Sequence, residues 1–209
     1  MLNKLENNKS ADVKLLDAKT GATVFDFGRV EPVPATIDTR PKEYLGLDIS
    51  LTKTGWAVLR LAPGAKRPEI VEYGLIKSDA KRSDGERLRQ VFEGVRDVLA
   101  RYPLLERQIS REGGIVRFNL ATKQIFKAHG VVEYTLHDWE IYDVNIQTVK
   151  AWARRITKSP GSRKDKDMIA EALRIYFDDP ELKFNKGGDE ADAVAVVISY
   201  LLNEGLVAA

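Results

Sequence analysis

The stretch YLGLDISLTKTGWAVLRLA, residues 44–62, decides the fold. Two apolar runs, YLGLDIS and TGWAVLRLA, are joined by a short Thr/Lys/Gly turn, which predicts a pair of antiparallel strands. A third run, IVEYGLIKS at 70–78, extends the pair into a meander. Beyond it the period changes. Leu88, Val91, Phe92, Val95, Val98 and Leu99 recur at helical spacing, so residues 86–101 are expected to form an amphipathic helix. YPLLERQ (102–108) reads as a fourth strand, GIVRFNLATKQIFKAHGVVEYTL (114–136) as mostly helix, and WEIYDV (139–144) as a fifth strand. Helical stretches follow near 146–156, 164–177 and 189–202. Strands first and helices alternating later predict an α/β sheet with helices on its faces.

Upstream the pattern differs. ADVKLLDAKTGATVFDFG (11–28) alternates around a Lys-Thr-Gly turn and has the form of a hairpin, and VEPVPATIDTRP (30–41) carries three prolines, as a linker does. Residues 1–42 are therefore expected as a small extension and 43–209 as the main domain. The chain of 209 residues suffices for one α/β core with an appendage. With no cysteine, disulfides and thiolate metal sites are excluded. No apolar run approaches the ~18 residues of a membrane span and the N-terminus has no signal-peptide core, so an intracellular protein without membrane contact is expected.

Charge is balanced, 33 basic against 31 acidic residues, so bulk composition does not announce a nucleic-acid binder. Its distribution says more. Lys150, Arg154, Arg155, Lys158, Arg163, Lys164 and Lys166 are opposed within their stretch only by Asp165. Such a segment attracts phosphate, although a solvated helix face has the same composition.

On this map Asp48 ends the first strand, Glu106 the fourth, and Asp189 with Asp192 opens the last helix. Acids three apart on a helix repel each other, so Asp189 and Asp192 serve either in helix capping, with Asp189 at the N-cap and both favoured by the dipole, or as metal ligands. Neighbouring strands lie about 4.8 Å apart, so acids at adjacent strand ends converge if those strands pair. An all-oxygen cluster suits Mg²⁺ or Mn²⁺, and two such ions serve in-line phosphodiester hydrolysis. Glu112 is the rival to Glu106, but a strand extended to it would carry Arg107, Gln108, Ser110 and Arg111 into the sheet centre, which favours Glu106. Trp56, Trp139 and Trp152 are expected in the core, His129 and His137 in structural or solvent-facing positions, and Asp143 as a cap for the next helix. Gly46 and Gly55 either permit tight packing or adjoin the site.

The motifs carry a resemblance. LGLDISLTKTGWAVL resembles the first-strand motif of RuvC-type Holliday-junction resolvases, and YPLLERQ resembles the strand that supplies their glutamate. GSRKDKDMIAEAL is similar to their basic loop entering a helix, and DEADAVAVVISYL to their closing Asp-x-x-Asp-Ala helix. All four occur in the family's order over about residues 44 to 202. The resemblance implies an RNase H-like nuclease fold, a homodimer, and paired nicks across a four-way DNA junction. It implies that Asp48, Glu106, Asp189 and Asp192 hold two divalent ions and that Lys166 lies near the scissile phosphate. Ile109, three residues past the glutamate, falls where relatives insert an aromatic at the junction, and Arg107 joins the expected DNA contacts. Two other functions remain open: a nuclease of the same fold acting on RNA–DNA hybrids or other branched DNA, and a junction-binding protein without turnover.

Overall fold

The computed structural model describes residues 39–113, 120–158 and 165–208, without the side chains of residues 120, 121, 165 and 166. The expected N-terminal hairpin lies outside the described residues. The chain divides into two compact units, Met1–Asp38 and Thr39–Ala209, and the second carries every element below.

Five strands, β1 (Lys42–Asp48), β2 (Lys53–Leu61), β3 (Glu69–Lys77), β4 (Leu105–Glu112) and β5 (Glu140–Val144), form one sheet in the order β3-β2-β1-β4-β5. β1, β2 and β3 are the expected antiparallel meander, while β4 and β5 run parallel to β1. The helices are α1 (Asp84–Arg101), α2 (Leu120–Thr135), α3 (Ile146–Thr157), α4 (Asp165–Phe177) and α5 (Asp189–Asn203). Ser83 starts α1 with a capping box, its hydroxyl accepting from the Glu86 amide while the Glu86 carboxylate accepts from the Ser83 amide.

β1 has a core on each side, which explains its almost unbroken apolar run. Tyr44, Ala57 and Leu59 face Trp152, Leu173, Val194 and Ile198 of α3, α4 and α5. Leu45, Leu47, Trp56 and Val58 face Val91 and Val95 of α1 and Val132 of α2. α5 is buried without a break from Ala193 to Leu201, so its apolar residues cover its whole circumference instead of one stripe. Trp56 and Trp152 belong to these cores, as expected, and Trp139 packs partly buried beside the second.

β4 ends at Glu112, well past the expected boundary, and its polar residues are accommodated one by one. Arg111 is buried but pairs with Glu133 of α2 at 2.8 Å and Asp143 of β5 at 2.6 Å. Gln108 accepts a hydrogen bond from the Tyr200 hydroxyl at 3.0 Å, and Arg107 sits at the exposed end with Asp138 at 2.7 Å. Asp143 is thus the anion of a buried arginine and no helix cap; Asn145 caps α3 by accepting from the Gln147 amide.

Candidate active site

Two glycines bring α5 down onto the sheet. A Cβ on Gly46 would overlap the Ala193 carbonyl and Val197, and one on Gly55 would overlap the Asp189 carbonyl, so only hydrogen at these positions lets the helix backbone touch the strands. Gly55 is the cross-strand partner of Asp48. The first turn of α5 therefore lies over the end of β1. Because side chains alternate along a strand, Asp48 shares the face of Gly46 and Tyr44, the face that α5 covers. The backbone thus brings Asp48, Asp189 and Asp192, all half-buried, to this end of the sheet.

Glu112, the rival glutamate, lies at this same sheet end: Leu47 pairs with Arg111 in the parallel register, and Asp48 and Glu112 are the next residues of their strands. Ile109 and Arg111 point to the α1/α2 side, so Gln108 and Glu112 point towards α5. Glu106 lies six residues earlier, beyond an irregularity in the β1–β4 register. It sits beside Glu43 at the opposite sheet end, 3.7 Å from the Lys42 ammonium. Burial, then the Glu106 charge, then Tyr200, push the pKa of the Tyr44 hydroxyl up to about 12. The register thus separates Glu106 from Asp48 and leaves Glu112 as the glutamate of β4 at the Asp48 end.

Two further expectations are corrected by the same register. Ile109 is fully buried in the core against Leu45, where no DNA can reach it. Arg107 lies with Glu106 at the far end, engaged by Asp138. Of the basic segment, Arg154, Arg155 and Lys158 are exposed on α3 or its cap and Lys150 is half-buried. Arg163 and Lys164 lie outside the described residues. Lys166 is in the first turn of α4, one residue before Asp167, and Asp167 shares a cavity of about 430 Å³ with Asn185, Lys186 and Gly188 at the start of α5.

The start of α5 has an arrangement that the sequence did not reveal. Its N-cap is Gly188, in the left-handed region at φ 82° and with no side chain to offer, so Asp189 is the first helical residue and not the cap. Asn185 takes over the capping. Its Nδ2 donates to Asp189 Oδ2 at 2.7 Å, its Oδ1 accepts from the Glu190 amide at 3.1 Å, and its own amide donates to the Glu190 carboxylate at 2.7 Å. These bonds hold the Asp189 carboxylate in one orientation. The only signal in the sequence is an Asn four residues before an Asp.

The donor set is all oxygen, from two strand ends and one helix turn, and fits a hard divalent cation in chemistry and backbone placement. Among the described residues, no three His, Asp or Glu side chains are drawn together at metal-holding distance. No helix among the described residues is long and apolar enough to cross a membrane.

A family model described as "Crossover junction endodeoxyribonuclease RuvC" matches residues 44–200. The RuvC protein of Wolbachia sp. subsp. Drosophila simulans (strain wRi) is 34% identical over 67 residues, 32% of this chain and 41% of that protein. The RuvC protein of Synechococcus sp. (strain RCC307) is 38% identical over 56 residues, 26% of this chain and 36% of that protein. The matched segments thus span about two fifths of these relatives' length. In three dimensions the chain is similar to Thermus thermophilus RuvC in complex with a Holliday junction substrate, with a TM-score of 0.63 at 15% identity, covering 79% of this chain and 96% of that one. That likeness is one of fold, the RNase H-like sheet with helices on both faces. With the family model matching three quarters of its length, the chain belongs to the crossover junction endodeoxyribonuclease RuvC family.

Proposed function

We propose that this chain is a divalent-metal-dependent endonuclease that resolves four-way DNA junctions, acting as a homodimer so that two sites make paired nicks. The observation that supports this reading is the backbone placement of Asp48, Glu112, Asp189 and Asp192 at one end of the sheet, where the ends of β1 and β4 meet the first turn of α5. A protein that only bound DNA would gain nothing from four acids facing phosphate, whereas a nuclease needs them to hold cations. Asp48, Glu112, Asp189 and Asp192 would hold magnesium or manganese, two ions per site, which when bound would supply an activated water and steady the leaving oxygen.

The chain's own groups do the rest. Asp48 and Glu112 reach the site from adjacent strands, so the sheet's hydrogen bonds fix their spacing, while Asn185 fixes Asp189. By the family resemblance, Lys166 would supply an ammonium to the non-bridging oxygens of the scissile phosphate, where charge develops in the transition state. Arg154, Arg155 and Lys158 hold the flanking backbone and give affinity that falls with salt. Three residues past Glu112, the offset expected for a side chain inserted at the junction falls on Ile115, outside the described residues.

Labelled four-way junction, RNA–DNA hybrid and linear duplex, each incubated with the protein and Mg²⁺, separate the possibilities. Symmetric nicking of the junction alone is expected. Cutting of the hybrid would move the substrate to another class, and tight binding without cleavage by the wild-type protein would overturn the enzyme reading. Asp48→Asn should abolish cleavage while keeping or tightening junction binding, because it removes a metal ligand and a phosphate-repelling charge together.

A further inference from the structure

The sheet end that holds Asp48 carries a second set of cations, on strands instead of helices. Lys53 opens β2, Lys77 closes β3, and the two stand directly opposite each other in the antiparallel register. Both are exposed. Gly55, two residues along from Lys53, faces the Asp189 carbonyl, so strand alternation puts Lys53, and its partner Lys77 with it, on the α5 face. Directly opposed like charges have their Cβ atoms about 4.5–5.5 Å apart and are destabilising.

Nearby cations are neutralised: Lys127 by Asp84 at 2.8 Å, and Arg82 by Asp79 at 3.5 Å and Glu86 at 3.7 Å. Among the described residues, no carboxylate pairs with Lys53 or Lys77. A third exposed lysine joins them. The Tyr73 hydroxyl of β3 donates to the Lys183 carbonyl at 2.6 Å, and its ring packs on Phe184 at 5.1 Å, which ties the loop before α5 to β3; Lys186 lies in that loop, three residues before Asp189, whose carbonyl meets Gly55.

Three exposed cations beside a site built for a phosphodiester, two of them repelling each other across a strand pair, form a surface that a polyanion completes. We propose that Lys53, Lys77 and Lys186 bind the phosphate backbone of a duplex arm of the substrate next to the scissile step. This inference rests on the nuclease reading for the identity of the substrate, but the contact is with phosphate and carries no base specificity. The lysine pair is then a cost to the free protein that bound DNA offsets, and Lys186 adds its charge from the loop that leads to Asp189.

Fluorescence anisotropy in EDTA, with labelled four-way junction and with linear duplex at several salt concentrations, tests this without requiring cleavage. Lys53→Ala/Lys77→Ala should weaken binding of both probes several-fold at low salt and reduce the slope of log affinity against log salt by about 2, since each phosphate contact contributes about 0.9. Lys186→Ala should reduce the slope by about 1 by the same relation. Lys53→Arg/Lys77→Arg should retain wild-type affinity and slope, and the alanine pair should melt at or above the wild-type temperature. Unchanged affinity and slope in the alanine pair would overturn the inference. So would an arginine pair behaving like the alanine pair, or a melting temperature lowered by several degrees, because the lysines would then be structural. Failure of the nuclease reading looks different: the wild-type protein would neither prefer nor cut the junction, while the effect of these lysines on duplex binding would still be read.

Discussion

Glu106 and Glu112 lie near opposite ends of one strand, and the register of β4 against β1 separates their fates. Glu112→Gln should eliminate metal-dependent cleavage with folding unchanged. Glu106→Gln should keep most of it, because its nearest charged partner is Lys42 at the far end, an exposed pair contributing on the order of 0–1 kcal/mol. The reverse pattern in a cleavage assay, with circular dichroism confirming the fold, would return the site to Glu106. Asn185 is tested differently, since it touches a ligand and would not touch the metal or DNA. Asn185→Ala should raise the Mg²⁺ concentration for half-maximal cleavage several-fold, with junction affinity unchanged. An unchanged metal dependence would reduce Asn185 to a helix cap. Asp48, Asp189 and Asp192 were legible because each falls at an element end that its neighbours announce; Asn185 was not, because its role depends on a left-handed Gly188 that hands the cap to a residue three positions earlier.

At the scale of elements, the site exists because α5 touches the β1–β2 hairpin backbone to backbone. Gly55→Ala adds a methyl group where the Asp189 carbonyl lies, and Gly46→Ala adds one at Ala193 and Val197. Overpacking of this kind costs about 1–3 kcal/mol, and at Gly55 it should also push the first turn of α5 away from Asp48. Gly55→Ala is thus expected to lower the denaturation midpoint and to weaken Mg²⁺-dependent cleavage beyond the loss of folded protein. A cleavage rate that follows the folded fraction alone would show that the site tolerates the shift. The meander, α1 and the three last helices were legible from period and capping, with boundaries close to those expected. The extent of β4 was not. Polarity argued against a strand through Arg111, and the strand exists because Glu133 and Asp143, from two other elements, neutralise that arginine where it is buried.

Over the whole molecule the same buried charge group sets a dependence on pH. His129 of α2 is buried, and its pKa is lowered, first by burial and then by the Arg111 guanidinium, with Asp143 and Glu133 acting the other way. A histidine whose folded pKa lies below its unfolded value binds fewer protons when folded, so stability should fall as pH drops below about 6.5 towards the folded value. His129→Gln should flatten that part of the curve in urea melts between pH 7 and 5; an unchanged slope would assign it to other groups. The amino-acid sequence by itself determined the mixed sheet, the helices on both faces, the three aspartates and the basic segment, since these follow from local period, capping and charge. Only the tertiary structure decided which glutamate lies at the Asp48 end of the sheet, that Ile109 is core and Arg107 remote from Asp48, that Asp143 serves Arg111, and that Lys53 and Lys77 face each other across a strand pair. Each of these turns on pairing register or on a partner distant in the chain, and a shift of register along β4 carries a carboxylate from one end of the sheet to the other without altering anything a local pattern can register.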